Sequence, residues 1–212
     1  AVGLQSLKFN TTGSNNVATG RGSLFTNTTG AANTASGYEV MYLNTTGSNN
    51  VATGYQTLRS NTTGIGSVAI GLQALRSNTT ASYNTAVGYQ ALLNNTTGAN
   101  NTALGNQALK ANTTASYNTA IGQGALIVNT TGTWNTSVGY QSAFKVTTGT
   151  SNTFLGVFAG YYDGVSTTTA GITTGNNNLC LGFASYPTAA TISNEITLGN
   201  SSITNLRCND TS

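Results

Sequence analysis

Ten glycines, Gly3, Gly20, Gly37, Gly54, Gly71, Gly88, Gly105, Gly122, Gly139 and Gly156, recur at every seventeenth position without an interruption. A chain that returns to the same residue at a fixed interval folds as a stack of near-identical units. The same interval governs Asn10, Asn27, Asn44, Asn61, Asn78, Asn95, Asn112 and Asn129, each opening an Asn-Thr-Thr, and Leu7, Leu24, Met41, Leu58, Leu75, Leu92, Leu109 and Leu126. A helical hairpin repeat needs roughly 33 residues or more. A 17-residue unit suits one coil of a parallel β-solenoid, and the fold class is all-β.

Within each unit the stretch V/T-A-V/I/L-G alternates with the period of a strand, Y-Q-A-L reads as a second short strand, and NTTGxN supplies turn chemistry. Each coil is therefore expected to hold two short strands and one polar corner. Coils about 4.8 Å apart would make some twelve of them a rod of about 55 to 60 Å. The Leu column and the column of Val2, Thr19, Ile70, Val87, Leu104, Ile121, Val138 and Leu155 are expected to fill the interior. The Gly column marks positive φ or a close approach. The Asn column at 10, and a second at 16, 33, 50, 84, 101, 118, 135 and 152, suit amide ladders along the rod. Each NTT is also a formal N-glycosylation sequon, although the corner already accounts for its Asn.

The period breaks once. Gly182 lies 26 residues after Gly156, and Gly199 then restores the interval of 17. Three segments follow: 1–160, a regular solenoid; 161–178, a coil with a nine-residue insertion; and 179–212, final coils and a C-terminal fibre segment. An insertion into a rod has to leave as a surface loop, where solenoids often place recognition. Pro187, the one proline, suits a corner just beyond it.

Composition narrows the function. Only 5% of residues are charged, against roughly 25% in typical soluble domains, so amides and hydroxyls must keep the chain in solution. Seven basic residues with a net charge of +3 are too few for a nucleic-acid footprint, and no apolar run reaches the eighteen or more residues of a membrane span. There is no His, hence no Ser-His triad and no imidazole metal site. The carboxylates are Glu39, Asp163, Glu195 and Asp210, none of them a sequence pair, whereas a glycosidase needs two within roughly 5 to 10 Å. The expectation is no enzyme, no catalytic residue, no metal and no cofactor. Cys180 and Cys208 fit no metal spacing; a buried inert thiol is the simplest reading of Cys180, and Cys208 could be free or paired. The sequence starts in mid-repeat at AVGLQSL and reads as a piece of something longer.

At SVAIG (67–71), with the variants NTAVG, NTALG, NTAIG and NTSVG, the sequence resembles the head repeat of trimeric autotransporter adhesins of the YadA type. That resemblance covers about residues 1–200 and implies a left-handed parallel β-roll made by three chains, intertwined or side by side. The period of 17 is longer than that family's, the excess falling in NTTG. The segment NEITLGNSSITNLRCNDTS (194–212) is similar to the one that, in bacteriophage tail fibres, precedes an intramolecular chaperone of the endosialidase type, which trimerises the fibre and cuts itself off. The chain stops about where such a cut would fall.

Together these point to a structural and receptor-binding segment of a homotrimeric fibre, in a virion tail fibre or on an extracellular surface. Its partners would be two further copies of itself and a host cell-surface receptor, a protein or a polysaccharide. The small apolar column Ala18, Ala35, Ala52, Ala69, Ala86, Ala103 and Ala120, which Cys180 joins, is the expected trimer contact. Tyr83, Tyr117 and Trp134 share a column beside the corner, and with Tyr161, Tyr162 and Asp163 at the insertion they are the candidate receptor-binding residues, since aromatics stack on sugars or pack between chains. Lys8, Arg59, Arg76 and Lys110 form a sparse basic stripe with Phe25, Tyr42, Leu93, Ile127 and Phe144. Alternatives are the head of a bacterial trimeric adhesin, a structural extracellular filament, or an ice-binding solenoid presenting the column of Thr11, Thr28, Thr45, Thr62, Thr79, Thr96, Thr113 and Thr130.

Overall fold

The computed structural model describes residues 1–161 and 173–203. Eleven three-residue strands form a single parallel sheet in chain order: β1 (Val17–Thr19), β2 (Thr34–Ser36), β3 (Val51–Thr53), β4 (Val68–Ile70), β5 (Thr85–Val87), β6 (Thr102–Leu104), β7 (Thr119–Ile121), β8 (Thr136–Val138), β9 (Thr153–Leu155), β10 (Leu179–Leu181) and β11 (Ile196–Leu198). Val2 adds one more rung by bridging to Thr19. The register is strict, so Ala86 faces Ala103 and Ala103 faces Ala120. The one lengthened interval falls where Thr153 pairs with Leu179, which places the extra residues between two neighbouring coils without disturbing the ladder. Residues 162–172 and 204–212 lie outside the described part; with them go Tyr162, Asp163, Asp210 and Cys208.

Each strand stops at its Gly because that residue has φ between +107° and +139° from Gly20 to Gly182. A Cβ on Gly71 would lie 2.6 Å from the carbonyl oxygen of Gly88 one coil on. Both reasons for a glycine thus apply together: the left-handed region and a close approach of backbones.

The Y-Q-A-L segment is not a strand. It is a run of turns in which alternate residues take the left-handed conformation, as in Gln56 and Leu58 at φ 51° and 52° and Gln90 and Leu92 at 55° and 52°. For non-glycine residues this costs roughly 1–2 kcal/mol each, and the cost recurs in every regular coil. Stacking holds the segment in place: the Leu24 N–H donates to the Val40 carbonyl at 3.0 Å and the Thr26 N–H to that of Tyr42 at 3.1 Å. A sequence period of two arises here from alternating backbone conformation, which pattern reading cannot tell from a strand.

The interior is also different from the expectation. The Ala column is its lining: Ala35, Ala52, Ala69, Ala86, Ala103 and Ala120 are 0% exposed, as are Met41 and its column mates Leu24, Leu58, Leu75, Leu92, Leu109 and Leu126. The column from Val2 to Leu155 faces out, with Val2 at 69%, Ile70 at 42% and Leu155 at 50% exposure. The reason is space. So short a coil closes on a lumen narrow enough that one Leu and one methyl fill it, and interiors are packed to near crystal density. The small Ala side chains are accordingly enclosed by their own chain, and the strand face available to a neighbour is the one carrying Val, Ile and Leu.

Both Asn columns form the expected ladders and, from Asn27 and Asn33 onward, are buried. In the first, the Asn44 Nδ2 donates to Asn27 Oδ1 at 2.7 Å and to the Gly47 carbonyl at 2.9 Å, closing its own turn while tying two coils. In the second, Asn101 Oδ1 accepts from the Asn118 N–H at 2.9 Å, and Asn101 Nδ2 donates to the Ala115 carbonyl at 2.8 Å. Ser67 replaces an Asn and keeps the ladder, accepting from the Asn84 N–H at 3.2 Å. With its amide committed and no surface exposed, an Asn such as Asn61 offers a glycan no room in the folded coil.

Candidate binding surfaces

Three surfaces run along the rod because any residue type kept in register becomes a column. The first is the outward strand face. Val17, Val51 and Ile196 on one flank of the buried Ala column, and Val2, Ile70, Leu104, Ile121, Leu155 and Leu198 on the other, are all exposed. Beyond the Gly, the next column continues it with Leu4, Tyr55, Leu72, Tyr89, Tyr140 and Phe183. Threonines are set into it, Thr34, Thr85, Thr102, Thr119, Thr136 and Thr153 on the first flank and Thr19 and Thr53 on the second; this largely apolar stripe spans β1 to β11, about 48 Å at the usual rung spacing. Sequence reasoning assigned half of it to the core; its signal was that large aliphatics flank the Ala on both sides, which a lumen this small cannot hold.

The second surface carries the candidate aromatics. Tyr83, Tyr117 and Trp134 are 57%, 47% and 60% exposed, each at the residue before a buried Asn and each with φ near 60°. Tyr117 and Trp134 stack with centroids 4.1 Å apart and planes 6° apart. Tyr83 stands two coils from Tyr117 and lies instead over Gly66, where a Cβ would come within 2.8 Å of its ring. In the same column, beyond Trp134, come the smaller Ser151, Asn177 and Asn194, which border a groove of about 350 Å³ floored by Leu179 and Ile196. Asn177 Nδ2 donates to Asn194 Oδ1 at 2.8 Å across its rim. Tyr161 is not part of this group; it packs on Phe144 and Phe158 at 5.3 and 5.6 Å.

No protein-family model matches the chain, nor does any curated protein or solved structure. Function therefore has to be read from the surfaces themselves.

The third surface is the turn segment, where Phe25 and Tyr42 stack at 4.7 Å, Lys8 Nζ lies 5.5 Å from the Phe25 ring and the Arg59 guanidinium carbon 5.2 Å from that of Tyr42. Glu39 bonds Arg59 Nε at 2.8 Å and Gln56 Nε2 at 3.0 Å. Those bonds, Arg59 foremost, hold the Glu39 carboxyl below the ordinary carboxylate range against a partial burial that opposes them. Glu195 is engaged by Thr188 and Thr197. Nine rungs separate these two carboxylates, about 43 Å, so they do not meet within one chain.

Cys180 is a free, fully buried thiol on the Ala column. Burial first of all pushes its pKa up to about 11, which keeps it protonated and unreactive at neutral pH. The Thr column proposed for ice is not an array of free hydroxyls: Thr28 Oγ1 donates to the Thr45 carbonyl at 3.0 Å, and Thr45 to Thr62 likewise. The second threonine of each Thr-Thr pair, from Thr12 to Thr148, is exposed in every one of these coils. Among the described residues no cluster of metal-ligating side chains occurs, and no helix is long and apolar enough to cross a membrane.

Proposed function

We propose that the chain is a structural and receptor-binding segment of a homotrimeric fibre, most simply of a bacteriophage tail fibre, that attaches to a glycan or protein on a host cell. The observation that carries this reading is the apolar stripe of the outward strand face. Monomeric chains rarely leave large apolar patches open to water, and this one exposes aliphatic and aromatic side chains, with threonines set between them, on coil after coil of one face while holding few charges. Parallel copies around one axis would bury the stripe by closed symmetry, with no copy of it left exposed for further lateral growth. The contact then lies on Val17, Ile70, Leu104, Ile121 and their column mates, with the Ala column behind it supplying the rigid backing. The resemblance of the repeat to trimeric adhesin heads supports three copies and a left-handed roll. The fibre would belong to a virion or an extracellular surface, with Tyr83, Tyr117 and Trp134 at the rim of the stripe positioned to meet the receptor.

Light scattering over a range of concentrations tests this directly. A mass of three times 21.6 kDa, independent of concentration, is expected for the wild type, and Leu104→Lys with Ile121→Lys should dissociate it. A wild-type monomer would overturn the reading. A second reading has one observation behind it, the exposed column from Thr12 to Thr148: an ice-binding face, which thermal hysteresis in a monomeric chain would reveal.

A further inference from the structure

The basic residues and the acids are unevenly placed. Between Ala1 and Tyr161 the chain carries Lys8, Arg21, Arg59, Arg76, Lys110 and Lys145 but only one acid, Glu39. Four of the six cations, Lys8, Arg59, Arg76 and Lys110, fall in one column of the turn segment, at its first, fourth, fifth and seventh rungs. Arg59 and Arg76 are therefore neighbours, roughly 4.8 Å apart by rung spacing, and only the first of them has a carboxylate. Glu39 is committed to Arg59 at 2.8 Å. Arg76 has no carboxylate partner among the described residues, and its Nε is buried without a hydrogen-bond partner, beside a like charge. The terminal Nη donors of that guanidinium are the ones left to meet a planar acceptor from outside.

The rungs between the cations are apolar. Phe25 and Tyr42 fill the gap from Lys8 to Arg59, their rings stacked and capped at each end by a cation, and Leu93 separates Arg76 from Lys110. A ligand following this column must present negative charge intermittently and apolar faces in between. A nucleic acid carries a phosphate on every residue and would leave most of them uncompensated here. A polysaccharide with carboxylates on its sugars meets both requirements, because its rings offer C–H faces between the charges.

We propose that the column Lys8–Phe25–Tyr42–Arg59–Arg76–Lys110 is a binding edge for a carboxylated polysaccharide, with Arg76 as the primary carboxylate anchor and Arg59 beside it. The edge lies on the turn segment and not on the strand face, so the inference goes beyond the fibre reading and holds for any number of copies. Binding is electrostatic in part and weakens as salt shortens the screening length.

The test uses the whole chain with immobilised hyaluronan, which carries one carboxylate on every second sugar, dextran as the uncharged polysaccharide, and a single-stranded oligonucleotide as the other polyanion. Biolayer interferometry at low and moderate salt should show retention on hyaluronan that declines with salt, none on dextran, and weaker retention on the oligonucleotide. Arg76→Gln should weaken hyaluronan binding about tenfold, in line with loss of a charge-assisted bidentate contact, and Arg59→Gln with Arg76→Gln should abolish it. Arg21→Gln, which removes the same charge outside the column, should change it little. Circular dichroism melts establish that each variant is folded. No retention on hyaluronan, equal loss in Arg21→Gln and Arg76→Gln, or tighter binding of the oligonucleotide would each overturn the proposal. The light-scattering mass is independent of all of these, so failure of the edge and failure of the trimer are separately readable.

Discussion

The coils up to β7 and those of β8 and β9 obey the same geometry with different parts. In the earlier coils an Ala on the strand meets a Leu six residues later, as Ala86 meets Leu92 and Ala103 meets Leu109, all of them fully buried. In the β9 coil the strand residue is Phe154 and the residue six later is Gly160; a Cβ on that glycine would strike the Phe154 ring. The large and small partners have exchanged places, and the lumen is filled either way. The β8 coil has small residues on both sides, Ser137 and Ala143, both fully buried, and Ser137 lies in register with Phe154, so what is conserved is the volume of neighbouring coils together, whichever side supplies it. The Asn ladder shows the opposite outcome. Val146 takes an Asn position, and nothing replaces its amide, so Asn129 Oδ1 is left buried without a donor. Packing is exchangeable between residues of one coil or its neighbour, whereas a hydrogen-bonded column is only as long as its unbroken run.

The largest expected effect separates the earlier coils from the later ones at their glycines. Gly88 has φ +137° and faces the Gly105 backbone carbonyl across a gap with no room for a methyl, while the nearest atom to a Cβ on Gly182 is 3.3 Å away. Gly88→Ala should destabilise the chain by about 4 kcal/mol or more, Gly182→Ala by about 1–2 kcal/mol of left-handed strain alone. Gly64→Ala should cost less than Gly88→Ala although its Cβ would also meet a carbonyl oxygen, that of Ala81, because its φ is not left-handed and Ala81 and Ala115 already occupy that column and are buried there. Denaturant midpoints at one fixed protein concentration measure all three. Equal losses at Gly88 and Gly182 would mean that the backbone approach at β5 adds nothing to the cost of positive φ.

The exchange of volumes predicts the next effect. Phe154→Ala empties the lumen beside Gly160 and should cost about 3–5 kcal/mol. Adding Gly160→Leu restores the Ala and Leu arrangement of the earlier coils. The double variant should recover about 2 kcal/mol, a coupling of the size seen for residues in contact. The measurement is a double-mutant cycle on unfolding free energy. Additive losses would show that the β9 coil cannot adopt the arrangement of its predecessors.

How much of this was legible follows from what repetition does and does not record. An unbroken interval dictates stacking, and the recurrence of Asn10 and Asn16 at that interval places amides above amides; both followed from spacing alone. The direction in which a strand faces is not a property of spacing. Val-Ala-Ile in β4 alternates whichever side is inside, and choosing the larger residues for the interior presumed a lumen wider than one such coil encloses. The turn segment misled for a related reason, since Gln56 and Leu58 alternate through φ and not through a pleat. Of the candidate binding residues, Tyr117 and Trp134 are brought together because they occupy adjacent coils, while Tyr83 stands apart because Asn100 intervenes. The orphaned nitrogen of Arg76 was beyond reach of the sequence, which records the cation but not that Glu39 bonds its neighbour.

The smallest expected effect repairs the break in the ladder. At Val146 the regular pattern has an Asn whose Nδ2 donates both to the preceding Asn and to the carbonyl three residues on, as Asn112 does to Asn95 and Ala115 at 2.7 and 3.0 Å. Val146 is fully buried and not much different in size from Asn, and Gly149 already occupies the position three residues on. Val146→Asn would supply the donor that Asn129 Oδ1 lacks and lose some apolar burial. A buried acceptor without a partner costs about 1–3 kcal/mol, and exchanging Val for Asn forfeits part of that gain, so a net stabilisation of about 0.5–1 kcal/mol is expected. Val146→Ala serves as the control, since it removes the same packing without adding a donor and should destabilise. If Val146→Asn were no more stable than Val146→Ala, the ladder would be a consequence of stacking. A gain in a region where the coils otherwise tolerate exchange of parts would make it a cause.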